Sequence, residues 1–371
     1  MHYDTSFAIL KTMNKLQKLH SHYDQSPWLD NLSRDLLENG TLERYVQDGV
    51  RGLTSNPTIL EHAITTSSLY DDQIKWFAGE GKTVEEIYWS IVEQDIKAAT
   101  ELLRPIWDES EGVDGYVSLE VSPTLATDAD ATLAQARKLW KDVDAPNLMI
   151  KVPATDQCIP IIRTLLSEGI NVNVTLIFSI DHYKQIAEAH LATHMLGMIS
   201  GARSVASFFI SRVDSEVDAR LTAIGTDEAL ALRGKAAISQ ARVAYGVFLD
   251  NFASTAVLDS HSSGVQRLLW ASTSTKNPDY DDLLYVTGLL APHTINTLPE
   301  DTIANIQDHL PESADSISLQ DIVDAKNTLQ AITDAGVDLD DVSHTLESQG
   351  VKKFQDSFAS LLSAIESKMH A

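Results

Sequence analysis

The segment Met149-Ile150-Lys151-Val152-Pro153 sets one lysine in the middle of a β-rich apolar run. An ammonium there loses hydration, and desolvation favours the free amine, the form that attacks a carbonyl to make a Schiff base. A lysine that snorkels from a strand end, or one neutralised by an acid, fits the same local sequence equally well. Two carboxylates stand in or beside comparable runs: Asp30 closes Trp28-Leu29-Asp30, and Glu120 lies in Val117-Ser118-Leu119-Glu120-Val121. With a positioned water they would supply the proton shuttle for carbinolamine dehydration and the base for the alcohol from which C–C cleavage begins. The alternative is that both acids are structural counterions of Lys151.

Elements that would position these groups follow from the patterning. Short β-rich runs alternate with helical stretches: 28–30, 52–54, 117–121, 148–152, 172–177, 205–210, 268–271 and 284–287. Eight strands separated by helices predict an α/β fold, a (β/α)8 barrel of the TIM type, with right-handed crossovers. Two of the runs alternate polar with apolar residues. Ser118, Glu120 and Ser122 share one face of the third, and Asn171, Asn173 and Thr175 one face of the fifth. A parallel strand buried on both sides reads as nearly continuous apolar residues, so these polar faces line something other than a dry core. A barrel interior opening into an active site fits; an antiparallel sheet with one solvated face is the competing reading. Asp30, Asn56, Glu120, Lys151, Asn173, Thr175 and Ser207 all sit in or just after proposed strands, where barrel active sites are built.

Composition bounds the remaining possibilities. In 371 residues, 28 Lys+Arg against 53 Asp+Glu leave a net charge of −25. Phosphate-backbone affinity and attraction to anionic lipid both require a basic excess, so neither nucleic acid nor a membrane is expected as a partner. No apolar run reaches the roughly 18 residues of a membrane span. A single cysteine, Cys158, excludes an intrachain disulfide and suits a reducing cytoplasmic setting. It also lacks a companion His–Asp/Asn arrangement that would make it a nucleophile. The twelve histidines include no HExxH, and the His190/His194 pair has no acidic ligand pattern beside it, so no metal is expected. Gly79-Glu80-Gly81-Lys82-Thr83 falls short of a phosphate loop, with Trp76 where glycine is required, and no GxGxxG occurs; no nucleotide cofactor is expected. Thr83 and Glu86 instead predict a capping box, and Ser179 a second helix start. The first 25 residues read as a short amphipathic helix rather than a signal peptide. With no low-complexity linker, residues 1–371 are expected to form one domain.

Several motifs together resemble one family. SPWLDNLSRDLL at 26–37, GLTSNPTIL at 52–60, VSLEVSP at 117–123, NLMIKVPAT at 147–155, GINVNVTLIFS at 169–179, ASFFISRVD at 206–214 and WASTSTKNP at 270–278 resemble, in order, the transaldolases, in particular their longer bacterial branch with an extra N-terminal helix. The resemblance implies a Schiff-base transferase of the non-oxidative pentose phosphate pathway, with C-terminal helices packed outside the barrel and no cofactor. It would move a dihydroxyacetone unit from fructose 6-phosphate or sedoheptulose 7-phosphate to glyceraldehyde 3-phosphate or erythrose 4-phosphate. By resemblance, Lys151 is the nucleophile, Asp30 the acid–base group, and Glu120 and Thr175 hold the catalytic water. Asn56, Asn173 and Ser207 bind the dihydroxyacetone hydroxyls, Arg212 binds phosphate, and Ser272 and Lys276 add phosphate donors. Arg212 paired with Asp214 at the surface is the alternative for that residue. Phe209 is expected beside the water; the related fructose 6-phosphate aldolases carry tyrosine there, so phenylalanine favours the transferase over the lyase. Asp156-Gln157-Cys158-Ile159-Pro160 departs from the family's usual loop. A free aldolase, a non-catalytic sugar-phosphate-binding barrel and an acidic scaffold are the competing functions. A monomer or homodimer is expected.

Overall fold

Eight parallel strands close into a barrel in chain order, so that β1 pairs with both β2 and β8 in the computed structural model, which describes residues 13–253 and 264–370. The strands are β1 (Gln25–Leu29), β2 (Leu53–Thr54), β3 (Val117–Glu120), β4 (Leu148–Pro153), β5 (Val172–Ile177), β6 (Ser204–Phe209), β7 (Gln266–Ala271) and β8 (Thr294–Leu298). Every pairing is parallel, which removes the antiparallel alternative.

One expected strand is corrected. Leu284–Thr287 is a single helical turn, and the eighth strand is Thr294–Leu298 instead. A run of four apolar or β-branched residues does not distinguish strand from buried helix by periodicity. Here Asp281 decides it: its Oδ1 accepts from the Leu283 amide (2.8 Å), and the Thr287 hydroxyl donates to the Leu283 carbonyl (3.1 Å). The true strand, Thr-Ile-Asn-Thr-Leu, reads as polar turn sequence. Its Thr294 and Asn296 point into partners the sequence does not reveal, Gln25 and Thr273.

Helix starts follow their caps. Thr83 and Glu86 form the expected capping box on Val84–Glu109, and Ser179 accepts from the Asp181 and His182 amides at the head of Ile180–Met195. At the amino end the described helix is Lys15–Tyr23, which buries Leu16, Leu19 and Tyr23 against β1 and the helix Glu300–His309. Residues 1–12 of the expected N-terminal helix lie outside the described residues. At the carboxyl end the 31-residue helix Leu339–Met369 packs on the helix Pro57–Thr66 and on β5, so it reaches over the C-terminal ends of the strands. Among the described residues, no helix is long and apolar enough to cross a membrane.

The opposite end of the barrel is held by a buried charge. Asp114 is fully buried and accepts from Arg51 Nε (2.8 Å), Arg267 Nη1 (3.0 Å), Ser26 Oγ (2.8 Å) and Trp28 Nε1 (3.3 Å). Burial alone would raise its pKa, but Arg267 and Arg51 outweigh that and bring it down to about 2 from 3.8. A depressed carboxylate stabilises the fold above its unfolded pKa and ceases to as pH falls through the folded one. Asp114→Asn is therefore expected to cost about 3 kcal/mol at pH 7, because it leaves two partly buried guanidinium groups uncompensated. In urea melts, the difference from the parent should shrink as pH falls from about 4 towards 2.

Candidate active site

Lys151 is 4% exposed, and its neighbours are set by strand register. Glu120 pairs with Lys151 across β3 and β4, and Lys151 with Asn173 across β4 and β5, so three polar side chains stand abreast inside the barrel. Lys151 Nζ lies 3.4 Å from Glu120 Oε2 and donates to the Ser55 carbonyl at 3.2 Å. Taking both charges out of water costs several kcal/mol each, and this contact with its neighbouring polar atoms offsets that cost. Glu120 is held above the usual carboxylate range by burial, against the pull of Lys151.

Above this layer opens a cleft of about 740 Å³. Its walls contain Asp30, Asn56, Lys151, Ser207, Phe209, Arg212, Ser272 and Lys276, eight of the eleven residues expected from the sequence. The remaining three, Glu120, Asn173 and Thr175, are buried and do not line it. Asp30 follows β1 directly and accepts from the Thr54 hydroxyl at 2.9 Å. Burial raises its pKa from 3.8, while Lys151, Thr54, Lys276 and Arg212 pull in the opposite sense.

Asn56 has two tasks. It caps the helix Pro57–Thr66, its Oδ1 accepting from the Ile59 amide (3.0 Å), and it lines the cleft. Ser207 donates to Asn173 Oδ1 (2.7 Å) and Asn173 Nδ2 donates to Ser118 Oγ (3.0 Å). With its proton committed to Asn173, Ser207 offers the cleft an acceptor.

Thr175 sits opposite Pro153 in the register, and its Oγ1 is buried without a hydrogen-bond partner, as is Glu120 Oε2. The β5–β6 register shifts between Val174 and Ile177, where Leu176 adopts a left-handed φ of 62°. Such a backbone costs an L-residue of order 1–3 kcal/mol and persists only where packing imposes it. This bulge next to Thr175 gives no signal in the sequence.

Part of the cleft wall is cationic. Arg212, the second residue of the helix Ser211–Ile224, lies 5.4 Å from the Phe209 ring centroid. Phe209 in turn packs on Phe178, with ring centroids 4.9 Å apart. The alternative Arg212–Asp214 pair does not form, because Asp214 is buried and accepts from the Ala237 amide and the Tyr285 hydroxyl, both at 2.8 Å. Ser272 follows β7 at a left-handed φ of 59°, with its hydroxyl 3.0 Å from that of Ser211. Lys276 reaches the same cleft, its ammonium 2.5 Å from the Ser274 hydroxyl. Cys158 is remote from this chemistry: it is fully buried, with Sγ 3.5 Å from the Ala126 carbonyl. Sequence reasoning did not single out Thr54, Thr297, Lys353 or Phe354, which also line the cleft. The last two come from the C-terminal helix, whose seat on the barrel is a tertiary fact.

The fold and cleft define a barrel enzyme with a buried lysine between carboxylates and a cationic end for an anionic substrate. A family model described as Transaldolase/Fructose-6-phosphate aldolase matches residues 27–365. The chain is 44% identical over 357 residues to a transaldolase of Mycolicibacterium smegmatis, covering 93% of this chain and 95% of that one. It is 45% identical over 358 residues to a transaldolase of Mycobacterium ulcerans, with the same coverages, and 44% identical over 349 residues to one of Mycobacterium tuberculosis, covering 91% and 92%. The chain belongs to the transaldolase/fructose-6-phosphate aldolase family, and its activity is that of a transaldolase acting on sugar phosphates. The readings as a non-catalytic barrel or an acidic scaffold fall with that result.

A network behind the cleft holds the loop that carries Lys276. Tyr285 donates to Asp214, while Tyr280 (2.6 Å) and the Gly234 amide (2.8 Å) donate to Asp218. Burial lifts the Asp214 pKa from 3.8 to about 6, so its favourable contribution is complete below 3.8 and is lost as pH rises through 6. Asp214→Asn keeps the shape without the charge. It is expected to gain stability relative to the parent as pH rises from about 4 to 7, by at most about 3 kcal/mol. Thermal melts across that range measure the divergence.

Proposed function

We propose that Lys151 is the Schiff-base nucleophile of this transaldolase and Asp30 its acid–base group. The observation that carries this is the placement of one almost fully buried amine, 3.4 Å from Glu120, in the floor of a cleft whose wall holds Asp30. The Lys151 amine adds to the C2 carbonyl of a ketose phosphate, and the carbinolamine loses its hydroxyl as water to give an iminium ion. Glu120, whose Oε2 makes only the ion-pair contact with Lys151, and Thr175, whose Oγ1 has no hydrogen-bond partner, hold the water that delivers the proton for this dehydration. Asp30 then takes the C4 hydroxyl proton; the C3–C4 electron pair flows into the iminium, and the aldose phosphate leaves. The dihydroxyacetone enamine stays bound to Lys151 until C3 attacks an acceptor aldehyde, to whose oxygen Asp30 returns the proton. Hydrolysis by the same water releases the product ketose.

Asn56, Asn173 and Ser207 hydrogen-bond the dihydroxyacetone hydroxyls in this reading, and Arg212, Ser272 and Lys276 bind the phosphate. A guanidinium fork suits a phosphate dianion in an otherwise acidic chain. The donors are fructose 6-phosphate and sedoheptulose 7-phosphate, and the acceptors erythrose 4-phosphate and glyceraldehyde 3-phosphate. Residues 1–371 are taken as one cytoplasmic domain, a monomer or homodimer without nucleic-acid partners.

Borohydride reduction in the presence of fructose 6-phosphate should attach the dihydroxyacetone unit to Lys151, found by peptide mass spectrometry. Lys151→Ala should lose that adduct and at least about 10³-fold in kcat while keeping its circular dichroism; an active Lys151→Ala enzyme would overturn the assignment. Since burial holds Asp30 above 3.8, the acid limb of the kcat profile should lie above that value, with activity rising as the carboxyl ionises to act as base. Asp30→Asn should abolish cleavage yet still form the initial adduct. Glyceraldehyde 3-phosphate release should depend on erythrose 4-phosphate, and Phe209→Tyr should raise acceptor-independent release of free dihydroxyacetone.

A further inference from the structure

Three cations line the cleft within electrostatic reach of one another: Arg212, Lys276 and Lys353. Among the described residues none of them has a carboxylate at ion-pair distance, in a chain whose acids outnumber its bases by 53 to 28. The neighbouring Lys352 shows the contrast. It points away and binds both oxygens of Asp356, one turn along the helix, at 2.8 and 2.9 Å. Lys353 instead lines the cleft, with Phe354 beside it.

The helix is placed for this by a glycine. Gly350 lies mid-helix, where glycine costs about 1 kcal/mol relative to alanine. A Cβ at that position would stand 3.1 Å from Leu176 Cδ2, 3.5 Å from the Phe178 ring and 3.6 Å from Arg212 Nη1. The bare backbone thus lets the helix settle on the β5 end beside the Arg212 guanidinium, and Lys353 follows three residues on, on the same helical face. The seat is reinforced by Gln355 donating to the Pro123 carbonyl (3.2 Å) and by the Thr58–Ser357 hydroxyl pair (2.9 Å). Burial, then the charges of Arg212 and Lys276, push the Lys353 ammonium below the usual lysine range. A dianion placed among the three relieves that repulsion.

We propose that Lys353, delivered by the C-terminal helix, is a third cation of the substrate phosphate subsite and sets the preference for phosphorylated over unphosphorylated substrates. This rests on the location of the phosphate end given above and extends it to a residue outside the barrel strands and their loops. The guanidinium, fixed by its packing on Phe209, is the rigid anchor. Lys353, on a flexible stem at the exposed rim, is a point charge that follows the phosphate of donors and acceptors of different length.

The test compares Lys353→Met, Lys353→Arg and Lys352→Met with the parent enzyme. For Lys353→Met, KM for fructose 6-phosphate should rise about tenfold with kcat changed less than twofold, as for loss of uniform binding. The inhibition constant of inorganic phosphate should rise by a similar factor. The ratio of kcat/KM for fructose 6-phosphate to that for unphosphorylated fructose should fall about tenfold, Lys353→Arg should restore most of it, and Lys352→Met should match the parent. Unchanged phosphate inhibition in Lys353→Met, or an equal loss on both fructose substrates, would overturn the proposal. Parent enzyme that binds inorganic phosphate through Lys353 yet gives no borohydride adduct at Lys151 would uphold this subsite while refuting the nucleophile assignment.

Discussion

A buried lysine beside a buried glutamate is the interaction around which this molecule is arranged. Lys151 and Glu120 each ease the burial of the other, since a lone charge taken out of water is costly. Register makes the pair obligatory: Glu120 faces Lys151, and Lys151 faces Asn173, on three adjacent strands. The same constraint explains the polar interior. Ser118, Asn173 and Ser207 form a hydrogen-bonded chain alongside the pair, so these three polar side chains have partners inside the barrel.

The two ends of the barrel use charge differently. At the N-terminal end Asp114 is saturated by donors, and its ionised form is part of the fold's stability. At the C-terminal end Asp30 and Glu120 are held above the usual carboxylate range by burial, and Arg212, Lys276 and Lys353 have no carboxylate at ion-pair distance among the described residues. Electrostatic stress is concentrated where a substrate with a carbonyl, hydroxyls and a phosphate would relieve it, as expected of a catalytic face. Left-handed backbone at Leu176 and Ser272 falls on this same face.

Legibility followed the range of the interactions. Seven of the eight strands were readable because each carries β-rich residues over a short run, and caps such as Thr83 and Ser179 act within three residues. The eighth was misplaced because Thr294 and Asn296 are polar residues whose partners are 269 and 23 residues away in the chain, while Leu284–Thr287 has strand-like composition and follows a local turn at Asp281 that leads it into a helix. Most of the cleft was legible as well: eight of the eleven expected residues line it. Glu120, Asn173 and Thr175 are buried and do not line it, a distinction that alternation along a strand does not encode.

The sequence by itself determined the chemistry available: one lysine in an apolar strand, carboxylates and amides at strand ends, and motifs in an order specific enough to imply the family. It also determined the periodicities that make a barrel. Only the tertiary structure decided which groups meet. Barrel closure brings strands far apart in the chain to one axis, and parallel register sets which side chains stand abreast. The seating of the C-terminal helix, through a bare glycine, brings Lys353 to a cleft otherwise built from the barrel strands and the segments that follow them. Those outcomes depend on contacts between residues tens to hundreds of positions apart, where local propensity carries no information and packing alone selects the partner.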